Sequence, residues 1–144
     1  MERRLVALKD KQQILRLYDV YKDCMFLPNE DKFARKVDGF LADDAIEVFA
    51  CLEDGEPKGM MVVSFAQAAQ TEIVGIAVAQ TARHRGIGSY MIAQLMEERR
   101  LPSVYAETDD DAVEFYRKNG FEITKVSEEY DGETVVRYRC LLQR

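Results

Sequence analysis

The sequence predicts a single α/β domain: a mixed, mostly antiparallel twisted sheet of about seven strands with helices on both faces. Three observations lead there. Two apolar stretches, residues 45–52 and 58–66, flank Asp54-Gly55, a strong signal for a tight hairpin and so for antiparallel pairing. Residues 71–107 read as strand, helix and strand, the unit that makes a right-handed parallel crossover. Two closing strand-like segments, residues 121–126 and 134–142, are joined across Asp131-Gly132. No repeat, linker or low-complexity tract interrupts the chain, so residues 1–144 read as one domain.

The elements follow in order. Residues 3–8 suit a short strand. Asp10 is placed to cap a helix running to about Cys24, with Ile14, Leu17, Tyr18 and Tyr21 on one face. Pro28 breaks that pattern, and Asn29 starts a second helix striped by Phe33, Val37, Phe40 and Leu41. The hairpin strands come next, then a strand over residues 71–79. A helix from Gly86 carries Ile87, Met91 and Leu95 at helical spacing, and Pro102 stops it soon after Arg100. Residues 103–107 form a short strand. Thr108 and Asp111 have capping-box spacing and open a helix that ends at Asn119-Gly120.

Composition narrows the class. The 144 residues are 47% hydrophobic and 32% charged, ordinary for a soluble globular protein. A net charge of −6 disfavours a nucleic-acid binder. No apolar run reaches membrane-spanning length, and the first residues lack the apolar core of a secretion signal, so a cytoplasmic location is expected. Cys24, Cys51 and Cys140 are too few and too scattered for a disulfide framework or a zinc site, and no metal is implied.

Residues 75–91 organise the rest. They read as a strand, a basic glycine-containing turn and a helix start. Gly86 and Gly88 let the main chain approach a ligand closely. The helix start points unpaired N–H groups and a positive dipole end back at the turn, with Arg83 and Arg85 beside it. Such a site is an anion cradle, and pyrophosphate is its natural guest.

With these residues placed, the chain resembles the GNAT family of N-acetyltransferases. The family's turn, Gln/Arg-x-x-Gly-x-Gly/Ala, stands here as Arg83-His84-Arg85-Gly86-Ile87-Gly88. A second block, Ala-x-x-Phe-Tyr-x-x-x-Gly-Phe, stands as Ala112-Val113-Glu114-Phe115-Tyr116-Arg117-Lys118-Asn119-Gly120-Phe121. The resemblance implies a GNAT-like acyl-CoA N-acyltransferase fold with acetyl-CoA as co-substrate. Amides within Arg85, Gly86, Ile87, Gly88 and Ser89 would hold the pyrophosphate, with Arg83 at the motif's first position. The main chain of Ile76, Ala77 and Val78 would pair with the pantetheine arm as an added strand. The sheet would splay between Ala77 and the Tyr105 strand to admit it.

Acetyl transfer requires that the amine lose a proton, that the oxyanion be stabilised and that the departing thiolate receive a donor. Tyr116 matches the family's tyrosine for the last task; read from its spacing alone, it is as well explained as a core residue of an amphipathic helix. Glu72 is the candidate base. By period two it shares a face with Val74, Ile76 and Val78, and burial among them would raise its pKa; a solvated strand-end glutamate is the rival reading. Glu107, at the end of the strand flanking the gap, could hold the amine, although a bare surface charge explains it as well. Asp109 stands where many relatives have Asn and reads better as a cap. His84, the single histidine, sits at a variable turn position and reads as a bystander. Cys51 and Cys140 fall in strands as small core residues, so no acyl carrier is placed and direct attack in a ternary complex is expected.

The alternative is a non-catalytic CoA-binding module, a sensor or protein-interaction domain that keeps the turn without the chemistry. A dinucleotide or nucleotide-triphosphate site is disfavoured, since the turn is neither GxGxxG nor GxxxxGK[ST]. The acceptor pocket is expected between the first two helices, residues 67–71 and the acidic connection at 128–133. The sequence leaves open the identity of the amine, the acyl length and whether the protein is a homodimer.

Overall fold

The computed structural model describes residues 2–143. Seven strands form one sheet: β1 (Arg3–Leu8), β2 (Ile46–Glu53), β3 (Glu56–Gln67), β4 (Gln70–Val78), β5 (Ser103–Thr108), β6 (Glu122–Tyr130) and β7 (Glu133–Gln143). Their order across the sheet is β1-β2-β3-β4-β5-β7-β6. Neighbours are antiparallel except β4 and β5, which run parallel as the crossover requires. Both predicted hairpin turns form. Asp54 and Gly55 take φ of 50° and 84°, and Asp131 and Gly132 take 50° and 80°, the left-handed pair that a two-residue turn between twisted strands needs.

The helices are α1 (Lys11–Leu15), α2 (Tyr18–Tyr21), α3 (Glu30–Ala42), α4 (Ile87–Glu98) and α5 (Val113–Lys118). Where one helix to Cys24 was expected, Leu17 leaves helical geometry (φ −91°, ψ 9°) and the chain bends. The two pieces serve different partners: α1 leans on α3, while α2 packs on β3 and β4. The capping box at Thr108 does not form. Thr108 stays in β5, paired with Tyr138, and Asp109 Oδ1 instead accepts from the Asp111 and Ala112 amides at 3.1 and 3.2 Å. The helix therefore starts at Val113.

Alternation along the central strands builds two cores. On β2, Val48 and Ala50 face α1–α3 with Ile14, Leu17, Phe33 and Val37, while Phe49 and Cys51 face α4 and α5 with Met91 and Leu95. On β3, Met60 and Val62 go one way and Met61 and Val63 the other. Covered faces on both sides explain why these strands read as unbroken apolar runs.

Two irregularities position the site. β4 and β5 pair only at Thr71–Val104 and Glu72–Tyr105; beyond that β4 continues along β3 and β5 along β7, and the sheet opens as a V. β4 also carries a bulge: Val62 faces Gly75 while the next residue, Val63, faces Ile73, so Val74 is the extra residue. The bulge corrects the expected face of Glu72. Ile73 packs in one core with Ile76 and Val78, and Val74 is turned out, 44% exposed. Glu72, opposite Ile73 in the pleat, lies on the face of Gly75 and Ala77 and does not share one with Ile76 and Val78.

Candidate active site

The V between β4 and β5 opens into a groove of about 1010 Å³, walled by β4, the start of α4, the β5 end with α5, and the segment after α2. Each wall has a local cause. Gly86 takes φ 77° as the N-cap of α4 and offers no side chain to cap it, and no acidic residue stands in the helix's first turn. Tyr90 N, the first of the helix to find an internal acceptor, bonds Gly86 O at 2.9 Å. The amides of Ile87, Gly88 and Ser89 are therefore left for a guest, at the positive end of the dipole. At Gly88 a Cβ would overlap the Phe115 ring, so this glycine lets α5 close on α4.

The open side of β4 offers main-chain groups. Ala79 N bonds Lys58 O of the β3 side at 2.8 Å. By alternation Ile76 and Val78 point the other way, into the gap. Their carbonyls are met by side chains: Cys24 Sγ donates to Ile76 O at 2.8 Å, and Arg83 Nε donates to Val78 O at 3.2 Å. Arg83 Nη2 also pairs with Asp23 Oδ2 at 2.5 Å. The 3₁₀ turn Lys22–Cys24 thus reaches across the open edge.

The expected site residues divide. Ile76, Ala77, Val78, Arg83, Gly86, Ile87, Gly88, Ser89, Glu107 and Tyr116 line the groove together, and so does His84. Arg85 does not line it. Its guanidinium turns to Glu53, a carboxylate 4% exposed that also holds Arg3 at 2.7 Å, while Arg3 Nη2 donates to Arg85 O at 3.3 Å. Arg85 braces the turn from behind, with its charge matched by a buried carboxylate. Glu72 lies outside the lining too, half-buried and accepting from Tyr105 Oη at 3.4 Å. It sits beside a phenol, without the apolar burial expected. Glu107 is exposed at the groove with Arg139 Nη1 at 3.6 Å.

Tyr116 is 5% exposed and wedged edge-on between Phe115 and Phe121, with ring centroids 5.1 Å away in each case. Burial, then the nearby Cys24 and Cys140 thiols, push its hydroxyl well above the usual tyrosine range. It holds its proton at any physiological pH. Cys51 and Cys140 are fully buried, as expected. Among the described residues no group of three or more His, Cys, Asp and Glu is placed to hold a metal, and no helix is long and apolar enough to cross a membrane.

Sequence reasoning missed Tyr21 and Cys24. Tyr21, 4% exposed, lines the groove from the α1–α3 side, and burial followed by the Cys24 and Tyr116 groups raises its pKa as strongly. Cys24 is exposed as a residue, yet burial of its thiol raises the pKa, partly offset by the bond to Ile76 O. The one sequence signal was Gly75 inside a strand, which marks a close approach by another group.

Comparisons with known proteins agree with this fold. The model of the family described as "Acetyltransferase (GNAT) family" matches residues 14–121. No curated protein matches the chain. Among solved structures, a Bacillus subtilis acetyltransferase in complex with CoA is 19% identical, with 99% of each chain covered and a TM-score of 0.70. A GNAT acetyltransferase from Elizabethkingia anophelis with acetyl-CoA bound is 18% identical, covering 99% of this chain and 98% of that one at 0.70. The ribosomal-protein-S18-alanine N-acetyltransferase of Escherichia coli is 15% identical, covering 99% and 94%, again at 0.70. At these identities the likeness is one of fold.

Proposed function

We propose that this chain, which belongs to the acetyltransferase (GNAT) family, is an acetyl-CoA-dependent N-acetyltransferase acting as one domain, residues 1–144, in the cytoplasm. The observation that carries the reading is the coincidence of three features in one groove: an uncapped α4 start, an unpaired β4 edge and the buried, protonated Tyr116. The B. subtilis and E. anophelis neighbours, which hold CoA and acetyl-CoA in the same fold, support it.

The residues fit the co-substrate. The Ile87, Gly88 and Ser89 amides suit a pyrophosphate, and the strand edge at Ile76 and Val78, unpaired by another strand, suits a pantetheine arm that would share or displace the Cys24 and Arg83 contacts to its carbonyls. Acetyl-CoA supplies an activated thioester carbonyl. The Ile76 amide, facing the gap, is a donor for charge developing on that carbonyl oxygen. Tyr116 Oη carries the proton that a departing thiolate needs. Asp23, Glu107, Asp109 and Asp111 on the groove walls are matched by Lys36, Arg83, Lys118 and Arg137, so a cationic amine would find its carboxylate locally, at Glu107, Asp109 or Asp111, and not in a groove of one sign. Glu107, one of the carboxylates lining the groove and a neighbour of Arg139, would take the amine's proton, directly or through water. Glu72 would act only through Tyr105 or water. The acceptor is a primary amine attacked directly.

One observation favours the second reading, a CoA-binding module without turnover: the carboxylate first expected as base, Glu72, stands outside the groove. The test is calorimetric titration of acetyl-CoA and CoA, followed by turnover on a panel of small amines, polyamines and peptide N-termini with wild type and Tyr116→Phe. Binding with turnover that falls at least ten-fold in Tyr116→Phe is expected. Binding without turnover on any acceptor would select the module. Absence of binding by folded protein would reject both.

A further inference from the structure

We propose that Tyr21 sets the acyl length: its phenol stands on Gly75 in the groove wall and holds the transferred group to acetyl size. This rests on the acyltransferase reading above. A ligand with its phosphates on the α4 start and its arm along Val78 and Ile76 carries its acyl end toward Gly75, the next residue on β4. Gly75 is where Tyr21 stands. A Cβ at position 75 would overlap Tyr21 Oη, so the phenol lies flush on the β4 main chain.

The wall is firm. Tyr21 is 4% exposed and its ring is held against Phe33, itself 1% exposed, at 5.9 Å between centroids. Tyr21 belongs to the groove lining. Cys24, pinned to Ile76 O, and Tyr116, packed between Phe115 and Phe121, complete the same end. A two-carbon acyl group fits against such a wall. A longer one must move a buried aromatic ring from its place beside Phe33.

The experiment measures binding of acetyl-, butyryl- and hexanoyl-CoA by calorimetry, with acyl transfer to one common amine as a second readout. The proteins are wild type, Tyr21→Phe, Tyr21→Leu and Tyr21→Ala. Wild type is expected to bind hexanoyl-CoA at least ten-fold more weakly than acetyl-CoA. Tyr21→Phe keeps the ring and should keep that preference. Tyr21→Leu and Tyr21→Ala should lose it, and methylenes that then find an apolar pocket should each add up to about four-fold in affinity. Should Tyr21→Ala fail to fold, Tyr21→Leu, which retains an apolar contact with Phe33, decides. The proposal is overturned if wild type takes hexanoyl-CoA as well as acetyl-CoA, or if folded Tyr21→Leu keeps the wild-type preference. In both cases the acyltransferase reading stands. Absence of any CoA binding by wild type removes that reading, and this one with it.

Discussion

Helices α3 and α4 are nearly equal in length, 13 and 12 residues, yet they begin in opposite ways. At α3, Asn29 Oδ1 accepts from Lys32 N at 2.8 Å, and Glu30 and Asp31 stand in the first turn. The chain supplies its own anions and its own acceptor. At α4 it supplies neither. A glycine at the N-cap in place of a side-chain cap costs roughly a few tenths of a kcal/mol. The fold tolerates that at α4 because the turn before it is held from outside the helix: Arg3 bonds Arg85 O, Arg85 meets Glu53, and Arg83 bonds Val78 O and Asp23. The difference separates a helix start satisfied within the chain from one that the chain leaves unsatisfied, the start to which the proposed function assigns the co-substrate's phosphates.

The comparison breaks most severely if that outside support is removed. Glu53 is 4% exposed and serves two guanidinium groups. Glu53→Ala removes the carboxylate that both share, and a loss of about 2–3 kcal/mol is expected in urea denaturation. Arg3 and Arg85 can still reach water, which keeps the cost at the low end. CoA binding should weaken as well, because the turn loses its brace. A stability change within 0.5 kcal/mol, the ordinary range of about ±0.5 kcal/mol for a surface substitution, would mean that α4 needs no such brace.

As large for binding, but with little effect on stability, is a change that makes α4 begin as α3 does. Ser89→Glu places a carboxylate in the first turn. A unit charge about 5 Å from a phosphate, at an effective dielectric near 20, opposes binding by about 3 kcal/mol. CoA affinity should fall about 100-fold. The melting temperature should hold or rise slightly, since an acid there favours the helix dipole. Opposite movement of binding and stability is the signature, and unchanged CoA affinity would deny the α4 start its role.

Much of this contrast was legible in the sequence. Asn29 and Asp10 announced their caps, Asp54-Gly55 and Asp131-Gly132 their turns, and the spacing of Gly86, Gly88, Phe115 and Tyr116 announced the family. What stayed hidden depends on events between strands. The Val74 bulge moved Glu72 to the other face, because alternation assumes an unbroken ladder. Arg85 reads as a phosphate ligand until Glu53, distant in sequence, is placed beside it. Tyr21 reads as one more apolar position of a helix; only the pairing of β4 with β3 and the packing of α2 on both show that it stands on Gly75. The Thr108 box failed for a similar reason: strand pairing with Tyr138 held Thr108 extended.

High pH probes the groove walls against the rest of the surface. Tyr21 and Tyr116 are neutral in the fold, with pKa values raised above the unfolded value near 10. Their contribution to stability is therefore complete below about pH 10 and is lost as pH rises through the folded values. Two of the 7 tyrosines should stay unionised, followed by tyrosinate absorbance, until the fold itself gives way. All seven titrating together before unfolding would show that the groove walls are open to water.

The smallest effect tests the other side of the comparison. Asn29→Ala removes the one side-chain cap of α3, and the Lys32 amide loses its acceptor. Glu30 and Asp31 remain to favour the dipole, and Phe33 and Val37 remain buried beneath the helix. The expected loss is about 1 kcal/mol. CoA affinity should not change, because the α3 cap is satisfied within the chain and no residue of the Asn29 turn lines the groove. If Asn29→Ala weakened CoA binding as much as it weakened the fold, the two helix starts would not be separable, and the freedom of the α4 start would lose its meaning as a mark of function.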